Sequence, residues 1–110
     1  MANFVELILE KGSTFSSQIT VSDQYGIAQN LVGYIARSQM RKSYYSSTKK
    51  DFTVTIPEPI NGLIMMSMTA ANTSNVDPGR YVFDVEIENS TGNVTRIFEG
   101  IVTVLPNVTR

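Results

Sequence analysis

Apolar and polar residues alternate along most of this chain, and that period of two does most to limit how it can fold. The clearest run is Tyr81 to Glu88, where apolar residues at odd positions alternate with Val82 and three acidic residues. Successive side chains of a β-strand point to opposite faces, so such runs predict strands with one buried face. The seven predicted strands have approximate bounds 5–10, 15–21, 34–41, 52–56, 63–68, 81–88 and 94–105.

Turn signals separate these strands at intervals of roughly 8 to 12 residues, which is typical of a β-sandwich or small barrel. Pro57 is expected to end the fourth strand, because proline has no amide hydrogen for the ladder. The stretch from Thr69 to Val76 is expected to hold one helical turn, capped by Thr69 or Thr73. With 110 residues and no linker or repeat, the sequence predicts a single all-β domain over residues 1–110.

The composition argues against an enzyme. The chain has no His and no Cys, which removes the commonest general base and the commonest soft metal ligands. Ser46 and Lys49 have the spacing of a Ser-Lys nucleophile pair, but that arrangement needs a helix, and here it lies in a predicted polar loop. No glycine-rich phosphate loop is present either. We therefore expect no catalytic residue, no cofactor and no metal.

Charge and hydropathy also limit the partners. The net charge is −1, which gives no electrostatic reason to expect nucleic acid or an anionic membrane. No stretch approaches the roughly 18 apolar residues that cross a bilayer. The N-terminus lacks the basic and long apolar regions of a secretory signal, so we expect a protein that is not secreted by that route.

The charged residues fall in two clusters of opposite sign. The basic cluster lies between positions 37 and 50 and consists of Arg37, Arg41, Lys42, Lys49 and Lys50, with no acid among them. The acidic cluster is Asp84, Glu86 and Glu88, which share one face of a predicted strand. In one interpretation the third and sixth strands are neighbours, as in an immunoglobulin-like order, and Arg37 and Arg41 face Asp84 and Glu86 on the solvated side. In the other, the basic loop of one subunit docks on the acidic strand of the next.

Two segments, 63–68 and 94–105, are apolar on both parities, whereas a strand with one solvated face should not be. Either these are central strands, or one of their faces is covered by another protein chain. The methionines of the first segment suit an adaptable contact surface, although methionine more often fills a core.

Four segments resemble the immunoglobulin-like structural domains of tailed phages. They are Gly33 to Ser43 (GYIARSQMRKS), Asn61 to Met65 (NGLIM), Asp77 to Glu86 (DPGRYVFDVE) and Val94 to Gly100 (VTRIFEG). Their order and spacing match over residues 12–110. The domains resembled include the N-terminal domain of baseplate upper proteins, which links receptor-binding proteins to the tail. The longer proteins continue after this domain, so docking here is expected on the domain's own surface.

The resemblance implies an immunoglobulin-like antiparallel β-sandwich of about seven strands. It also implies a virion structural protein of the tail or baseplate, present in several symmetric copies that bind neighbouring virion proteins. Gly33, Gly62 and Gly79 are then turn glycines, and Tyr34, Tyr81 and Phe83 are core aromatics. A capsid decoration protein and a carbohydrate-binding module for host attachment are alternatives. The predicted contact residues are Arg41, Lys42, Tyr44, Tyr45, Ile97 and Ile101.

Overall fold

The structure is a computed structural model that describes residues 3–23 and 25–108. It is all-β, with seven strands and one short helix. The strands are β1 (Asn3–Glu10), β2 (Phe15–Thr20), β3 (Ile35–Arg41), β4 (Lys49–Glu58), β5 (Leu63–Met68), β6 (Gly79–Glu88) and β7 (Val94–Leu105). A 3-10 turn covers Pro59–Asn61, and the helix α1 covers Ala70–Thr73. No described helix has the length and apolar character that crossing a bilayer requires.

The strands form one seven-stranded sheet in the order β1-β7-β6-β3-β4-β5-β2. β4 joins its two halves, because residues up to Phe52 pair with β3 and residues from Thr53 pair with β5. The sheet thereby curls into a nearly closed, barrel-like shape whose two edges are β1 and β2. The third and sixth strands are neighbours, as the sequence predicted.

The prediction of a purely antiparallel arrangement is wrong, because β1 pairs with β7 in parallel along its whole length. The two strands come from opposite ends of the chain, so no hairpin forces them to run in opposite directions. The prediction that Pro57 ends the fourth strand is also wrong. β4 continues to Glu58, and the missing amide hydrogen of Pro57 falls where the register with β5 shifts, between Thr55 and Glu58.

The alternation of apolar and polar residues in the sequence corresponds to alternating burial of side chains in the strands. In β6 the odd-numbered side chains are buried and the even-numbered ones are half-buried or exposed, and in β5 the even-numbered ones are buried. Fully buried side chains from most strands meet in one core, among them Leu9, Met40, Ile64, Met66, Val85 and Val102. The aromatic rings of Phe15, Phe52 and Phe83 contact one another there, with neighbouring centroids 5.6 and 6.4 Å apart.

The two strands that are apolar on both parities, β5 and β7, each have a neighbour on both sides. They are therefore central strands, which is one of the two interpretations of the sequence. Their second faces are half-buried, not sealed. Met66 and Met68 fill the core, while Met65 lies on the outer side of β5.

Thr69 caps the helical turn, as predicted, because its side chain accepts a hydrogen bond from the Asn72 amide. Thr73 is fully buried and ties this turn to the β1–β2 connection. Its hydroxyl donates to the Ser13 carbonyl at 2.8 Å and accepts from the Gly12 amide at 3.1 Å. The turn that joins the two edge strands is therefore held in place at one end of the barrel.

Candidate functional site

A depression of about 330 Å³ lies on the outer face of β3, β6 and β7. Side chains from even positions of β6 and odd positions of β3 line it, since these point away from the core. The loop 42–48 borders one side and contributes Tyr44. The charged residues that line it are Arg37, Arg41, Asp84, Glu86, Arg96 and Glu99.

Ion pairs within the molecule organise this surface. Arg37 places Nε 3.2 Å from an Oε of Glu86 and an Nη 3.0 Å from an Oε of Glu88. These hydrogen bonds, the one to Glu88 first, raise the pKa of Arg37. Arg96 lies 3.4 Å from both Asp84 and Glu99. The first interpretation of the charge clusters is thus confirmed for Arg37, although its partners are Glu86 and Glu88.

Within the part of the chain that the structure describes, Arg41 forms no ion pair with an acid. One Nη donates to the Ser46 carbonyl at 2.6 Å, and the other donates to Oε1 of Gln39 at 3.2 Å. Arg41 therefore fixes the loop 42–48 against the end of β3 and so positions Tyr44 above the depression. The sequence predicted Arg41 as a contact residue, and the structure gives it this additional role of holding the loop.

Asp84 lines the depression and is partly buried there. Burial first, and then the neighbouring Glu86, raises the pKa of its carboxyl, and the nearby Arg96 opposes the rise. Carboxyl groups whose pKa is raised by burial in a concave surface are common in functional sites. Among the described residues, no cluster of acidic side chains is arranged to hold a metal ion.

Arg96 reaches this face because of a β-bulge, and period-two reasoning missed it. Val85 pairs with Phe98 whereas Glu86 pairs with Arg96, so Ile97 is an extra residue in β7. The bulge reverses the parity before it, which also turns Val94 outward. Strict alternation from Phe98 would have aimed Arg96 at the core, where an unpaired guanidinium is costly. That conflict was the signal in the sequence that could have revealed the bulge.

The predicted contact residues are distributed over three places. Arg41 and Tyr44 line the depression. Tyr45 is 98% exposed and Tyr44 is 69% exposed, so neither ring packs fully on its own domain. Lys42 points to the other side of the loop, with Nζ 4.4 Å from the centre of the Tyr81 ring.

Ile101 and Ile97 lie farther along β7. Ile101 is half-buried on the outer face and pairs with Val82 of β6, which lines the depression. Ile97 is the bulge residue and packs against the core cluster. The depression therefore brings together two of the six predicted residues, with Ile101 beside it.

The comparisons with known proteins give a likeness of fold. No protein-family model matches the chain, and no curated protein matches its sequence. The internalin-like protein lmo2027 of Listeria monocytogenes is similar in structure, with a TM-score of 0.50 and 16% sequence identity. The match covers 94% of this chain and 28% of that one, so this chain spans less than a third of its length. The chain thus shares an all-β fold with part of that protein.

Proposed function

We propose that this protein is a structural part of a tailed-phage virion, in the tail or baseplate, that works by docking on neighbouring virion proteins. The observation that carries the docking role is the exposed pair Tyr44 and Tyr45 beside a depression lined by three arginines. Tyrosine and arginine are the residue types most enriched at protein interfaces. The resemblance of the four sequence segments supports the assignment to a phage particle.

The depression suits a protein partner better than a small ligand. Its arginines and carboxylates are largely paired with each other, so a small charged ligand would have to break those pairs. A protein surface can cover the same ion pairs and supply further hydrogen bonds at the rim. The Asp84 carboxylate, whose pKa burial raises, would be stabilised by a hydrogen bond from a partner's donor. That hydrogen bond would favour the docked state.

The proposal includes the finer architecture, an immunoglobulin-like sandwich in which β4 is shared between the two sheets. Two observations support it. β3, β6 and β7 are neighbours in one half and β2 and β5 in the other, as in that sandwich. The Tyr81 hydroxyl donates to the Asp77 carbonyl at 2.8 Å, which is the tyrosine corner expected near the start of the sixth strand.

Separated particles test the proposal. Particles of the phage whose genome encodes the chain would be divided into heads and tails, and each fraction analysed by mass spectrometry. The protein is expected in the tail fraction at several copies per particle. Recovery in the head fraction would favour the capsid decoration alternative instead, and its absence from both fractions would overturn the proposal.

Variants then test the docking surface. Incorporation of Tyr44→Ala and Arg41→Glu proteins into tails should fall by about tenfold, because both residues line the depression that forms the proposed interface. Tyr25→Ala is the matched control, since Tyr25 is 78% exposed in the loop at the opposite end of β3. Equal incorporation of all three variants would show that this face is not the docking surface.

A second candidate function is carbohydrate binding for host attachment. The exposure of Tyr44 and Tyr45 favours it, because rings free of their own domain can stack on sugars. A glycan array with the wild-type protein, followed by Tyr44→Ala and Tyr45→Ala, tests it. Binding that both substitutions abolish supports this function, and an array with no signal removes it.

A further inference from the structure

The two edge strands of the described sheet, β1 and β2, face each other across an opening of the barrel. Within residues 3–23 and 25–108, β1 pairs only with β7, and β2 pairs only with β5. Each strand therefore presents a row of backbone amides and carbonyls with no ladder partner on its outer side. Such edges pair readily with an added strand unless charge, proline or a bulge protects them. Neither β1 nor β2 contains a proline, and no register shift interrupts either ladder. β2 carries no charge, and the charges of β1 are the acids Glu6 and Glu10, which disfavour an acidic strand but not a basic one.

Burial along the two strands shows where the opening lies. Next to the turn that joins them, Leu9 of β1 and Phe15 of β2 are buried. Farther from the turn, the inward-pointing Val5, Leu7 and Ile19 are only half-buried, although they pack against the same core. At the turn itself, a cleft of about 200 Å³ lies between Ile8 and Glu10 of β1 and Phe15 and Ser16 of β2. The core is therefore incompletely covered along the gap.

The rim of the gap is acidic on one side and uncharged on the other. Glu6 and Glu10 point outward from β1, and neither takes part in any ion pair of the described chain. They alternate with Phe4 and Ile8, which are 62% and 64% exposed. The outward residues of β2 are Ser16, Gln18 and Thr20, and none of them carries a charge.

We propose that the gap between β1 and β2 accepts an extended segment of a partner protein as an added strand. Its alternate side chains would be apolar, to cover Val5, Leu7 and Ile19, and basic, to meet Glu6 and Glu10. The chemistry is that of strand addition, in which backbone hydrogen bonds give affinity and alternate side chains give specificity. This inference rests on the proposed docking function and names a second contact within it.

A second copy of this chain fits the gap poorly. The edge strands of its described sheet are its own β1 and β2. An added β1 would bring acidic side chains to the acidic rim, and like charges on paired strands are destabilising. An added β2 carries no cation to meet Glu6 or Glu10. Charge complementarity thus favours a basic segment from another protein.

Synthetic peptides as long as β1, 8 residues, test this inference with the whole purified protein. One probe alternates Lys and Val, a second has the same composition with its Val residues in one block, and a third alternates Glu and Val. Two-dimensional NMR would follow binding, and amide hydrogen exchange would locate it. We expect the alternating Lys–Val peptide to bind saturably and to slow exchange in β1, β2 or both.

A pair of matched variants tests the charge requirement. Glu6→Lys with Glu10→Lys should weaken binding of the Lys–Val peptide by about tenfold and strengthen that of the Glu–Val peptide. Asp51→Lys with Glu58→Lys makes the same change in net charge on β4, away from the gap, and should leave both affinities nearly unchanged. All four positions are exposed, so the fold should tolerate both variants.

Several results would overturn the inference: equal binding of the blocked peptide, exchange protection confined to loop 42–48, or equal behaviour of the two charge variants. A purified protein that dimerises with β1 and β2 protected would assign the gap to a second copy. Failure of the peptides while the protein is still found in tails would remove strand addition alone and leave docking through the depression in place.

Discussion

Replacing Gly100 by alanine should loosen the edge strand β1. A Cβ built on Gly100 would lie 1.7 Å from the backbone oxygen of Val5 and 2.8 Å from its carbonyl carbon. Contacts below 3.0 Å are essentially never seen for a Cβ, so the β1 backbone would have to move by at least about 1 Å. No flexible side chain can absorb the change, because every close atom belongs to the backbone.

The expected loss in the free energy of unfolding is the sum of two costs, the overpacking at β1 and the exposure of a core side chain that β1 carries. Overpacking that forces a backbone shift costs about 1 to 3 kcal/mol. Partial exposure of the fully buried Leu9 would add about 1 kcal/mol, which is a fraction of the cost of exposing a leucine entirely. We therefore expect Gly100→Ala to lower the free energy of unfolding by about 2 to 4 kcal/mol.

Urea unfolding measures this loss, and hydrogen exchange shows whether β1 is the part that opens. Gly92→Ala is the control, because Gly92 has a φ of 89° and open space around it, so it isolates the cost of a left-handed backbone. That cost is about 1 to 2 kcal/mol. A loss below about 0.5 kcal/mol for Gly100→Ala, with the exchange of β1 amides unchanged, would refute the reasoning.

Three further substitutions have expected outcomes. Burial raises the pKa of Tyr81, so the folded state favours the protonated phenol. The stability that this group contributes is therefore fully present below the unfolded pKa of about 10, and it is lost as the pH rises through the higher pKa of the folded state. Tyr81→Phe should cost about 1 kcal/mol at pH 7 and remove that loss at high pH, which urea unfolding at pH 7 and above pH 10 would show. Burial also raises the pKa of Asp84, so the fold disfavours its carboxylate, and stability is lost as the pH rises from the unfolded pKa through the folded one. Asp84→Asn should therefore be more stable than the wild type at pH 7 and nearly equal at pH 3 in the same assay. Thr73→Val should cost about 1 kcal/mol in thermal or urea unfolding, because it removes the partly buried hydrogen bonds that the Thr73 hydroxyl makes with the Ser13 carbonyl and the Gly12 amide.

The apolar runs and the turn signals between them were together enough to place all seven strands. The pairing of the third strand with the sixth was expected from the immunoglobulin-like order, and the structure has it. The sequence pattern was not enough to give the parallel pairing of β1 with β7, since a strand's own pattern does not record the direction of its neighbour. The turn glycines and core aromatics expected from the resemblance were correct in part. Gly33 and Gly62 lie in turns with positive φ, whereas Gly79 has a positive φ but begins β6. Tyr81 and Phe83 are buried, whereas Tyr34 is half-buried against the core.

The candidate site was predicted less completely, for physical reasons. Arg41 and Tyr44 were found because charge and aromatic character cluster in the loop that follows β3. Arg96 was missed because a single extra residue at Ile97 reverses the parity of everything before it in β7. The open gap between β1 and β2 also has no signal in local sequence, since it depends on which strands end the sheet.

Oxidative footprinting of tyrosines in the assembled particle tests the central claim, that this domain acts by being bound through its outer face. Hydroxyl radicals label exposed rings, and in the free protein Tyr44, Tyr45 and Tyr25 should all react, because all three are largely exposed. In particles, labelling of Tyr44 and Tyr45 should fall by about tenfold while Tyr25, at the other end of β3, keeps its reactivity. Equal labelling of Tyr44 and Tyr45 in the free and particle-bound protein would contradict the account.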